Sequence, residues 1–112
     1  MKSDKLYLAH ILQSIEKILD YTGSLNYQEF SNNSLVIDPV IRNFEIIGEA
    51  TKKVSKSTQL KHPGIPWKKM AGLRDKLIHD YIRVKLEMIW EVITDVLPIQ
   101  QKEIQIIFLE FS

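Results

Sequence analysis

Apolar residues return at intervals of three and four along most of this chain, a spacing that gathers them on one side of an α-helix and on neither face of a strand. Leu8, Ile11, Leu12, Ile15, Ile18 and Leu19 predict an amphipathic helix from about Asp4 to Thr22, stopped by Gly23. Val40, Ile41, Phe44, Ile47, Gly48, Thr51 and Val54 mark a second helix, with two possible entries. Either Asp38 caps it and Pro39 is its first residue, or Ser34 to Ile37 is already helical and Pro39 bends it. His62-Pro63-Gly64-Ile65-Pro66 interrupts the pattern, and Pro66 suits the first turn of a third helix beginning near Trp67. Leu86, Ile89, Trp90, Ile93, Val96 and Leu97 define a fourth helix. Ile104, Ile107, Phe108 and Phe111 define a further segment after Pro98, either separate or continuous through a kink. Tyr27 to Phe30 fits one short turn of helix, and no strand hairpin is evident.

Four long amphipathic segments with short connections predict a single all-α domain over 1–112, an antiparallel up-and-down bundle of four to five helices. Gly48 and Ala50 on the second helix, with Ala71 and Gly72 on the third, would let backbones approach closely in the core or at a dimer seam. At 112 residues the chain can bury an adequate core without staples. Cysteine is absent, which removes disulfides and thiol chemistry and fits a cytoplasmic protein. The first residues lack a signal-peptide apolar run, and the longest apolar stretch, Ile106 to Leu109, is too short to cross a bilayer. A net charge of +1 gives no strong overall pull on nucleic acid. Lys52, Lys53, Lys56, Lys61, Lys68 and Lys69 form either a local basic patch or a solvated face.

The third helix breaks its own pattern. On a wheel over residues 67–81, Trp67, Met70, Ala71, Leu73, Leu77 and Ile78 share one arc, and Arg74 and Tyr81 fall inside it. A guanidinium facing a core needs a carboxylate, a carbonyl cage or an anion-holding cleft. Tyr81 lies about 20° from Arg74 around the helix, whereas His79 lies about 140° away. Convergence of Arg74 and His79 therefore requires fraying near His79 or a second subunit packed antiparallel. Asp75, four residues before His79, is placed to orient its imidazole and raise its basicity. The competing account is an ion pair from Arg74 to Glu45 or Glu49, with His79 merely ending the helix. His10 and His62 suggest no metal site, and Trp67 and Trp90 read as core residues.

The string Gly72-Leu73-Arg74-Asp75-Lys76-Leu77-Ile78-His79-Asp80-Tyr81 resembles the signature of the HepT-like ribonuclease toxins of the HEPN superfamily. The likeness extends to Val40-Ile41-Arg42-Asn43-Phe44-Glu45-Ile46-Ile47-Gly48-Glu49-Ala50 and to His62-Pro63-Gly64-Ile65-Pro66-Trp67. It implies an HEPN-like fold and a metal-independent endoribonuclease, working without cofactor as a homodimer whose paired motifs build one cleft. Its implied partners are an RNA substrate, either transfer RNA or messenger RNA, and a minimal nucleotidyltransferase antitoxin. By position Arg74 and His79 would be catalytic, with Asp75 supporting them where many members have asparagine. Tyr81 matches the tyrosine that the antitoxin modifies with AMP in relatives. Such chemistry uses the 2′-hydroxyl of RNA as nucleophile, an imidazole to move protons and a guanidinium to neutralise phosphate charge. A rival from another class is a noncatalytic helical module that holds a nucleotide or a partner protein.

Overall fold

The computed structural model describes residues 2–79 and 85–111, with the backbone alone for Lys2, Ile78 and His79. The described residues form an all-α, HEPN-like bundle with no strand. Helix α1 spans Lys2–Thr22, and its residues Leu8, Ile11, Ile15 and Ile18 are fully buried. Burying each such side chain contributes roughly 1.5–3 kcal/mol, so this stripe commits α1 to the centre of the bundle. Gly23 follows the last turn without a left-handed backbone. The reason for glycine there is space, because a Cβ would sit 2.9 Å from the Leu19 carbonyl oxygen.

Helix α2, Tyr27–Ser31, is the anticipated short turn, opened by Asn26 and Glu29, each side chain of which accepts the other's backbone N–H. Phe30 carries it into the core and packs against Trp90 at 5.1 Å between ring centroids. Helix α3 runs from Ser34 to Lys53, which settles the two possible entries. The Asn33 side chain accepts the Leu35 N–H, and Pro39 lies inside the helix.

Helix α4, Lys56–Lys61, is absent from the sequence reading because six residues are too few to display a period. Polar contacts hold it. The buried Asp4 carboxylate of α1 accepts the Ser55 N–H at 2.9 Å and the hydroxyls of Ser55 and Thr58, each at 2.6 Å. Burial pushes the Asp4 carboxyl upward, but these donors outweigh it and hold its pKa below the ordinary carboxylate value.

Helix α5 spans Trp67–His79, and its buried Trp67 donates its indole N–H to the His62 carbonyl at 2.9 Å. The last rod is continuous: α6 over Leu86–Glu91, a π-helical stretch over Val92–Val96, then α7 over Leu97–Leu109. Pro98, in the first turn of α7, explains the widening. Its ring would meet the carbonyl four residues back in a regular α-helix, and π geometry relieves that contact without breaking the rod. The buried stripe runs through the bulge as Ile89, Ile93, Leu97, Ile104 and Ile107. Helix α1 packs on α3 and α7, α3 on α5, and α2 against α3 and α6. No described helix is long and apolar enough to cross a membrane.

Candidate functional site

Helices α3 and α5 approach each other at Gly48. A Cβ at that position would fall 2.1 Å from the Arg74 Cβ, so the absence of a side chain lets α5 settle with Arg74 directly over α3. Arg74 thereby reaches the next residue of α3. Its Nε lies 3.0 Å from Glu49 Oε2 in an ion pair, and Nη1 donates to Asp75 Oδ1 at 3.4 Å. Lys52 binds the same Asp75 oxygen at 2.6 Å, while Lys53 lies 3.8 Å from Glu49.

These contacts correct the picture of Arg74 as a core residue. The side chain is 28% exposed, so it is neither sealed indoors nor free in solvent. The glutamate partner anticipated by the competing account is present, yet among the described residues the network pairs three cations, Lys52, Lys53 and Arg74, with two carboxylates, Glu49 and Asp75. Asp75 faces Lys52 and Arg74. The Lys52 ammonium, with Arg74 beyond it, holds its carboxyl below the ordinary carboxylate range.

Helix α5 remains helical through His79, so the fraying considered for that residue does not occur in its backbone. Position 79 then lies about 140° around α5 from Arg74. The expected pairing of Asp75 with the His79 imidazole concerns a side chain outside the described atoms, and Tyr81 lies outside the described residues. Among the described residues no group of three His, Asp or Glu side chains is arranged to hold a metal ion.

Arg74 also walls a groove of about 320 Å³ between α1, α3 and α5. Helix α3 contributes Arg42, Glu45, Glu49 and Lys53 to it, and α1 contributes Tyr7 and His10. Lys53 Nζ stands 5.7 Å from the Tyr7 ring centroid, and the Tyr7 and His10 rings meet edge to face at 6.3 Å. From the sequence His10 suggests no metal site, and Tyr7 and Arg42 carry no site role. Spacing offered one signal, since Arg42, Glu45, Glu49 and Lys53 make a polar stripe along α3 at intervals of three and four. Which helix faces that stripe is a tertiary fact.

A family model described as ribonuclease HepT-like matches residues 11–107. The chain belongs to the HepT-like ribonuclease family. A candidate RNase of Caldanaerobacter subterraneus subsp. tengcongensis is 38% identical over 105 residues, covering 94% of each chain. A candidate RNase of Methanocaldococcus jannaschii is 42% identical over 101 residues, covering 90% of this chain and 87% of its own. A candidate ribonuclease HepT of Thermococcus cleftensis is 38% identical over 97 residues, covering 87% of this chain and 88% of its own. No solved structure matches the chain significantly. In this HepT-like bundle Arg74 and Asp75, both within the family-like string, lie midway along α5, and Arg74 lines the groove.

Proposed function

We propose that this HepT-like ribonuclease cleaves RNA in the cytoplasm without a metal ion, at a cleft shared by two copies of the chain. The carrying observation is the part-open Arg74 guanidinium, positioned by Glu49 at the edge of a groove, in a network that among the described residues pairs three cations with two carboxylates. A guanidinium so placed can neutralise charge growing on a phosphate in the transition state. Positions 74 and 79 diverge on one helix, and an antiparallel second copy supplies the imidazole that each arginine lacks.

In the reaction one His79 takes the proton of the ribose 2′-hydroxyl as its oxygen attacks phosphorus. The bond from phosphorus to the 5′-oxygen breaks, and the second His79, as imidazolium, protonates that oxygen. The products are a 2′,3′-cyclic phosphate and a 5′-hydroxyl. Asp75 supports Arg74 through the contact at 3.4 Å. Tyr81 is the acceptor for AMP from a nucleotidyltransferase antitoxin: its phenolic oxygen attacks the α-phosphorus of ATP, pyrophosphate leaves, and the added nucleotide blocks the cleft.

The test is cleavage of a single-stranded RNA pool by wild type, Arg74→Ala and His79→Ala, with end-group analysis and with chelator present. Cyclic phosphate ends made only by wild type, in chelator, are expected. Undiminished cleavage by either variant would refute the assignment.

The pair from Arg74 to Glu49 favours a second reading, a noncatalytic module in which Arg74 pins α5 to α3. Purified protein that binds RNA or nucleotide but cuts nothing would establish it.

A further inference from the structure

We propose that the groove between α1 and α3 seats a short stretch of the RNA strand beside the scissile phosphate, with one base facing His10 and with Arg42 and Lys53 holding backbone phosphates on either side of it. This rests on the ribonuclease reading above and adds the part of the substrate site that lies away from the Arg74 and His79 string. Arg42 and Lys53 are eleven residues apart on one face of α3, about 16 Å along its axis. Arg74 enters between them, at the level of Glu49. Cations so spread cannot converge on one compact anion and stand farther apart than the two phosphates of a single nucleotide, but with Arg74 between them they match successive phosphates along a short stretch of strand.

The carboxylates between them refine this. Glu45 and Glu49 would repel a dense polyphosphate, whereas they can accept hydrogen bonds from ribose hydroxyls and from amino groups on base edges. The opposite wall presents the His10 ring, exposed, braced edge to face by Tyr7. An aromatic wall facing a line of cations is how single-stranded RNA is commonly held, bases on rings and phosphates on charges. About 320 Å³ lies at the small end of ligand-site volumes and suits one extruded nucleotide, not a duplex.

Binding of a short labelled oligouridylate is measured against salt in the His79→Ala background, which separates binding from cleavage. Arg42→Ala and Lys53→Ala are each expected to weaken binding several-fold and to flatten the slope of log affinity on log salt by about 0.7. His10→Ala is expected to weaken binding about fivefold or more with the slope unchanged, as loss of a stacking partner requires. In the wild-type background the Arg42 and His10 substitutions raise KM while kcat stays within about twofold. Arg42, Lys53 and His10 are exposed, so these variants fold. Unchanged affinity and slope in the Arg42 and Lys53 variants overturn the groove, as does an equal loss in Lys102→Ala on α7. Cleavage that needs Arg74 but ignores all three groove residues removes this inference alone. Groove-dependent binding with no cleavage by the wild type removes the ribonuclease mechanism instead.

Discussion

Gly48 and Arg74 occupy the same contact between α3 and α5, with room there for one side chain and not two. The close approach of the helices at this point and the orientation of the arginine toward Glu49 are consequences of that single vacancy. It ties packing to chemistry, because whatever moves α5 at this point also moves the guanidinium.

Gly48→Ala is therefore expected to destabilise the fold by roughly 1–3 kcal/mol, as overpacking does, and to lower RNA cleavage beyond the loss of folded protein. Gly72 is the contrast. No heavy atom lies within 4 Å of its hypothetical Cβ, so Gly72→Ala should be neutral or stabilise by up to about 1 kcal/mol through helix propensity. Urea denaturation of the two variants checks both signs.

Arg74→Ala is expected to reduce cleavage by about 100-fold or more, the scale of losing one donor to a developing anion. Its stability should change by no more than about 1 kcal/mol, because the Glu49 partner is 47% exposed and such pairs are worth little. A melt showing global unfolding would transfer Arg74 to the structural role.

Acid should loosen the junction of α1 with α4. The Asp4 pKa is lowered in the folded state, so its stabilising contribution is fully present above the unfolded value near 3.8 and disappears as pH falls through the lower folded value. Asp4→Asn should cost on the order of 1–3 kcal/mol at neutral pH, the range for leaving buried donors poorly matched. The variant should also lose stability less steeply than wild type below about pH 4. Urea midpoints across pH 2.5 to 7 provide the comparison.

Incubation with the cognate nucleotidyltransferase and ATP should add AMP mass to wild type and none to Tyr81→Phe, measured on the intact protein. Unmodified Tyr81→Phe should still cut RNA, since the phenol has no part in the proton transfers. Labelling of the Phe variant would place the acceptor elsewhere.

The long helices were legible because each repeats an apolar residue over several turns, and a stripe of that length has few ways to be buried. Helix α4 was illegible for the opposite reason: what fixes it is Asp4, fifty-one residues before its cap. The path of α3 past Pro39 and the continuity of the last rod past Pro98 were open alternatives in the sequence, since a proline states a local conflict and the surrounding packing selects its resolution, here a π stretch before Pro98.

For the site, the sequence by itself determined that α5 carries an arginine among apolar neighbours, with Asp75 beside it and His79 around the helix. It also determined the family, through a string that no wheel argument would have interpreted. Only the tertiary structure decided that Glu49 and not Glu45 takes the guanidinium, that Lys52 engages Asp75, and that Tyr7 and His10 face the Arg42 stripe. Periodicity records which side of a helix is apolar, a property of one segment. Which charged groups meet depends on the rotation and separation of different helices, and in this chain those are set by contacts as local as a missing methyl at Gly48.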